Sequence, residues 1–110
     1  MMSSKIFHME TVGQIIRAKR ESLGLLLRQV ASHLDIDQAI LSKIERNERK
    51  PSKDNIIKLA EILKLDKEDL LVQFMSEKIA YEIVDEDCAS KVLKAAEQKV
   101  KYLKSNLIKH

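Results

Sequence analysis

Residues 26–51, LLRQVASHLDIDQAILSKIERNERKP, read as two short helices joined by a tight turn, with a cationic segment behind the second. Val30, Ala31, Leu34, Ile36, Leu41 and Ile44 are the apolar positions that would stitch such a pair to a core. Between them, Gln38, Ala39, Ser42, Lys43 and Arg46 point the other way. An α-helix fits the major groove of duplex DNA, and a second helix packed beside it can hold it there. The stretch therefore predicts a helix pair with an oily inner side and a polar outer side, of a size suited to a DNA groove.

The rest of the chain agrees with a small helical protein. Its 110 residues suit one compact domain with an appendage, and 45% hydrophobic residues are enough for a core. Two Gly, one Pro and no Trp argue for helices joined by short loops rather than a sheet with many turns. The net charge of +3 is modest, so its distribution says more than its sum. Residues 1–50 hold nine Lys/Arg against six Asp/Glu, residues 51–84 five against seven, and residues 85–110 six against four. Basicity thus gathers in the half with the helix pair and in the last helix. The single cysteine, Cys88, excludes an intrachain disulfide and a multi-cysteine zinc site. No apolar run approaches the ~18 residues of a membrane span, and no signal-peptide core opens the chain, so a reduced cytoplasmic protein is expected. The opening MMSSKIFHMET reads as frayed, with Met2 and Met9 as alternative starts.

Helix signals punctuate the sequence. Thr11 with Gln14 matches a capping box, opening a first helix over about Val12–Leu23 that ends at Gly24, with Val12, Ile15 and Ile16 inward. A second helix covers about Leu27–Leu34, and Asp35-Ile36-Asp37 forms the turn. Asp37 is placed to cap a third helix, about Gln38–Arg46. Asn47 follows where a left-handed residue closes a helix. Ser52, after Pro51, caps a fourth helix with a stripe of Ile56, Ile57, Ala60 and Leu63. Asp66 opens a fifth, running through Leu70, Leu71, Phe74 and Ile79 toward Ile83, although AYEIV at 80–84 also fits a short strand. In the last helix, behind Asp85-Glu86-Asp87, Ala89, Leu93, Ala96, Val100, Leu103 and Leu107 recur at steps of four and three. That is a heptad seam, and it fits either a homodimer contact or packing on the chain's own domain. The expected division is an N-terminal stretch 1–10, a helical domain 11–70 and a helical extension 71–110.

The stretches TVGQIIRAKRESLGL (11–25), VA (30–31), DIDQAILSKIER (35–46), PS (51–52) and IIKLAEILKL (56–65) together resemble the phage-repressor/Cro family of helix-turn-helix regulators, also termed xenobiotic-response-element-like. The likeness covers rather more than half of the chain. It implies an all-α, five-helix lambda-repressor-like DNA-binding domain whose third helix enters the major groove. It also implies an ion pair between Arg20 and Glu45. Base contacts would come from Gln38, Ala39, Ser42 and Lys43: Gln pairs with adenine, Lys reaches guanine, and the alanine methyl meets thymine. Ile40 is either tucked inward or a further thymine contact. Arg28, Arg46, Arg49 and Lys50 would clamp phosphates, giving affinity without sequence choice. The sequence departs from the family where Leu26 and Leu27 replace the usual Ser/Thr-Gln opening of the second helix, removing a cap and a DNA contact. Asp35 and Asn47 stand where the family favours Gly, and both tolerate left-handed backbone.

No other chemistry competes. His8, His33 and His110 share no metal-ligand spacing with one another or with Cys88, and two glycines are too few for a dinucleotide fingerprint or a P-loop. Phe74, Tyr81 and Tyr102 fit core positions better than a ligand pocket, and Cys88 has no preceding basic neighbour to activate it. No catalytic residue, metal or cofactor is expected. The partners expected are double-stranded DNA and a second copy of the chain. The alternative is an antitoxin whose C-terminal residues neutralise a partner protein. The resemblance further suggests an autorepressor at an inverted-repeat operator, within reach of a restriction–modification or other phage-defence cassette.

Overall fold

The computed structural model describes residues 10–108, so most of the expected frayed start, with His8 and His110, lies outside them. The described residues form six helices and no strand: α1 (Val12–Ser22), α2 (Leu27–Leu34), α3 (Gln38–Glu45), α4 (Lys53–Leu63), α5 (Lys67–Ile83) and α6 (Ala89–Ile108). Two compact units divide between Lys78 and Ile79, within α5.

The first unit is built around one core. Val12 and Ile16 of α1, Val30, Ala31 and Leu34 of α2, and Leu41 and Ile44 of α3 are buried in it. They meet Ile56, Leu59, Ala60 and Leu63 of α4 and Leu70 and Phe74 of α5. Most of these positions are three or four residues apart along their helices, which places them on single faces.

Helix starts are held by side chains where the sequence offers them. Gln14 N donates to Thr11 Oγ1 at 3.1 Å, and Thr11 N donates to Gln14 Oε1 at 2.9 Å, completing the capping box of α1. Glu77 of α5 adds a partner from far along the chain, its Oε2 accepting from Val12 N at 3.1 Å. Ser52 Oγ accepts from Asn55 N at 3.0 Å, and Asp66 Oδ2 accepts from Asp69 N at 2.9 Å. One start differs from expectation. The Asp37 side chain makes no capping bond to α3 although its backbone has the extended geometry. At α2, Leu26 has no acceptor to offer, yet Gln29 Oε1 reaches back to its N–H at 2.8 Å, so half of a capping box survives.

Helices α1 to α4 all end in the same backbone device. Gly24, Asp35, Asn47 and Lys64 lie in the left-handed region, with φ of 70°, 59°, 63° and 58°. Each donates its N–H to the carbonyl three residues back: Glu21, Ser32, Ile44 and Glu61. The residue after each donates to the carbonyl five back: Arg20, Ala31, Lys43 and Ala60. This paired pattern is the Schellman motif, which satisfies carbonyls otherwise left open at a helix end.

Gly13 has a different role. A Cβ there would stand 2.3 Å from Ile44 O and 2.7 Å from Glu45 O, so α1 crosses the end of α3 at backbone distance. Only a residue without a side chain permits that approach.

Of the two readings left open for residues 80–83 the helix holds, so α5 runs to Ile83 as expected and no strand forms there. Ile79 lies on α5 as expected and is 49% exposed. Two expectations need correction. Ile57 is half-buried and Leu59 takes the fully buried place in α4. Of the three aromatics assigned to a core, only Phe74 is buried; Tyr81 is exposed on the last turn of α5, which buries only Leu70 and Phe74, and Tyr102 is exposed on α6, where no described residue is buried.

In the second unit, α6 leaves its heptad seam exposed at every position but the first. Leu93, Val100, Leu103 and Leu107 are all exposed, as is Ala96, and Ala89 is half-buried. Cys88, at the start of the helix, is a free exposed thiol.

Candidate nucleic-acid interface

At about 100° per residue, α3 divides cleanly into two sides. Leu41, Ile44 and Glu45 are buried and Ile40 is half-buried against the core. Gln38, Ala39, Lys43 and Arg46 are exposed and Ser42 is half-exposed. These five fall within a continuous arc of about 140°. The sequence placed them on one side, and they share it.

What holds that helix in place is charged. Arg20 of α1 and Glu45 at the end of α3 are both buried, at 8% and 5% exposure. Arg20 donates from Nε to Glu45 Oε2 at 2.7 Å and from Nη2 to Oε1 at 3.0 Å. Its third nitrogen, Nη1, donates to Leu25 O at 2.8 Å. The guanidinium therefore ties α3 to α1 and to the loop after α1 at once. The hydrogen bonds that Arg20 donates to Glu45 raise the Arg20 pKa, outweighing the desolvation that opposes it. The fork-to-fork geometry adds direction to the attraction, fixing the azimuth of α3 as well as its distance.

The cationic residues expected at phosphates lie on α2 and at and after the end of α3. Arg28 is exposed on α2, and Arg49 and Lys50 are exposed on the segment after α3. Arg46 is already engaged: its Nη2 donates to Glu48 Oε1 at 3.2 Å, and its Nε is ion-paired with Glu48 Oε2 at 3.2 Å. His33 is exposed, with its Nδ1 2.8 Å from Gln29 O. Among the described residues no three His, Cys, Asp or Glu side chains gather to hold a metal, and no helix is long and apolar enough to cross a membrane.

Three residues that shape this face escaped the sequence reading. Gly13 carried a signal, since a glycine inside a helical pattern marks a close approach. Gln29 also did, lying three residues after the first residue of a helix start. Glu48 did not, because no local rule pairs it with Arg46.

The family model for helix-turn-helix proteins matches residues 16–70, from the middle of α1 to the first turn of α5. An uncharacterised HTH-type transcriptional regulator, found in two strains of Mycobacterium tuberculosis, is 36% identical over 61 residues, 56% of this chain. The matched stretch spans 44% of that relative's length. Among solved structures, the biofilm master regulator SinR in complex with DNA is 31% identical, with a TM-score of 0.50, covering 56% of this chain and 98% of that one. The clp gene regulator ClgR of Corynebacterium glutamicum, at 20% identity, shares the fold over 92% of this chain and 93% of its own, with a TM-score of 0.53.

Proposed function

We propose that this chain, which belongs to the phage-repressor/Cro-like helix-turn-helix family of transcriptional regulators, reads a specific DNA sequence with α3 and does so as a homodimer. The observation that carries the reading is the two-sided α3. A buried bidentate ion pair fixes its inner side, and a continuous arc of Gln38, Ala39, Ser42, Lys43 and Arg46 is left outward. A helix that only stabilised the core would not need its orientation set by a buried charge. Breaking such a pair by losing one partner is costly, and apolar replacement of both is often harmless, so orientation is what the pair contributes.

In this reading Gln38 accepts from and donates to adenine, Lys43 donates to guanine, Ala39 meets a thymine methyl, and Ser42 serves either base type. Arg28, Arg46, Arg49 and Lys50 take phosphates, adding affinity and salt dependence. The seam of Ala89, Leu93, Ala96, Val100, Leu103 and Leu107, exposed at all but its first position, supports pairing with a second copy. Two reading helices then sit about 34–36 Å apart, so the operator is an inverted repeat. The setting is the cytoplasm, and the role is repression, including of the chain's own promoter, with a restriction–modification or phage-defence cassette as the regulated neighbour. The same exposed residues would suit a different protein, as in an antitoxin, and stable co-purification of such a partner in place of a dimer would favour that reading.

Selection of duplexes from random DNA at fixed salt gives the operator. Lys43→Ala should then relax base preference at one position per half-site, costing about 1–3 kcal/mol of discrimination. Arg49→Ala should weaken all duplexes alike and reduce the salt slope by about one. Unchanged operator choice and affinity in Lys43→Ala would show that α3 does not read bases.

A further inference from the structure

Four helix ends share one backbone motif, but one of them carries the wrong kind of side chain. In a Schellman end, the residue after the left-handed one usually makes an apolar contact with the helix it closes. After α1, α2 and α4 that residue is Leu25, Ile36 and Leu65, each packed against the core. After α3 it is Glu48, and it is exposed. Three of the ends close over apolar surface, and the end on the reading helix displays a carboxylate instead.

The motif also fixes where that carboxylate goes. Glu48 N donates to Lys43 O at 2.8 Å, which pins its backbone beside the last turn of α3. From there both carboxylate oxygens engage Arg46, Oε2 with Nε and Oε1 with Nη2, each at 3.2 Å. Arg46 lies on the same outward arc as Lys43 and Gln38, among the cations assigned to phosphate. A carboxylate and a phosphate present comparable oxygen pairs to a guanidinium. The two anions therefore compete for one side chain.

We propose that Glu48 is an affinity-limiting residue: it occupies the phosphate-binding edge of Arg46, so duplex DNA gains that contact only by displacing an internal carboxylate. This deepens the DNA reading above and rests on it. Phosphate contacts are made on every sequence, so the brake lowers binding to all duplexes alike and leaves base preference to Gln38, Ala39, Ser42 and Lys43. Its size is small by construction, since the pair is about half exposed on both sides and such pairs are weak.

The test is a double-mutant cycle on the full chain. Affinities of wild type, Glu48→Gln, Arg46→Ala and the double variant are measured by fluorescence anisotropy at one low salt concentration. The probes are the operator duplex obtained by selection and an unrelated duplex of equal length. Glu48→Gln should tighten both duplexes by about two- to fivefold per reading head, with their ratio unchanged. In the Arg46→Ala background the same change should have little effect. Glu48→Ala should repeat the result, with helicity by circular dichroism matching wild type in every variant. No tightening in Glu48→Gln overturns the proposal, as does equal tightening with and without Arg46, which marks Glu48 as a diffuse repulsive charge. Failure of wild type to bind either duplex overturns the DNA reading itself, and is distinguished by that result from a failure of the brake alone.

Discussion

The two units carry apolar residues at the same helical spacing and treat them in opposite ways. In the first, Ile16, Leu41, Ile56, Leu59 and Leu63 are wholly inaccessible; in the second, Val100 is 50% exposed, Leu103 55% and Leu107 67%. The neighbouring sequence makes the difference. Residues 11–65 contain four short amphipathic helices separated by residues that stop them, so each stripe finds another within the same unit. The stripe of α6 runs along a single helix of 20 residues. A heptad repeat specifies a face and leaves open what covers it. In the first unit the rest of the domain does so, and in the second the proposal above gives that place to another copy.

The largest expected effect strikes the first unit at its charged tie. Arg20→Ala leaves Glu45 buried without its partner, which should cost about 3–5 kcal/mol of stability. Thermal unfolding followed by circular dichroism reads that loss, and Glu45→Ala should match it. Replacing both with well-packed apolar residues should restore much of the stability. If Arg20→Ala melts like wild type, the pair is not the tie that separates this unit from the second.

Next in size is a paired comparison of two leucines. Leu59→Ala removes wholly buried methyl groups and should cost about 2–5 kcal/mol. Leu103→Asp removes an exposed side chain and should change the melting of the first unit by no more than about 0.5 kcal/mol. Its effect should be on association instead, with sedimentation showing monomers where wild type shows dimers. A Leu103→Asp chain that stays dimeric moves the contact elsewhere, and one that melts early assigns Leu103 to a core.

These two regions also differ in how much the amino-acid order discloses. For residues 11–65 the local signals were nearly sufficient. The Thr11–Gln14 box, the Ser52 cap, Gly24, and the turn residues Asp35 and Asn47 mark the ends, and alternation of apolar residues marks the inner faces. The outward arc of α3 was legible for the same reason, since it is what remains when Leu41, Ile44 and Glu45 turn inward. Long-range geometry was not legible. That Gly13 touches the backbone of α3, or that Glu77 reaches α1, depends on packing between segments up to 65 residues apart. Past Leu65 the signals weaken. α5 is apolar on more than one side, with Phe74 inward while Val72 and Met75 stay exposed, so its periodicity points in two directions.

The smallest effect sharpens the contrast at the backbone. Every left-handed residue among the described ones lies at or before Lys64, and each belongs to a Schellman end. The α5–α6 connection instead uses simple turn bonds, Glu86 N to Ile83 O at 2.9 Å and Ala89 N to Glu86 O at 3.2 Å. The first unit thus defines its helix ends more tightly, and at one place it does so under strain. Gly24 takes the left-handed region freely, and Asp35 and Asn47 tolerate it. Lys64, with a long side chain and φ of 58°, is the poorly suited member of the set. Lys64→Gly relieves about 1–2 kcal/mol of steric cost and adds back roughly 0.4–1 kcal/mol of unfolded-chain entropy. The net gain should be about 0.8 kcal/mol at the middle of those ranges, or roughly 3–6 °C in melting midpoint for a domain of this size. Association should be untouched, because Lys64 lies in the first unit and the seam in the second. A lowered midpoint would mean that the Lys64 side chain contributes more than its backbone costs, and the helix ends would then not be set by conformation alone.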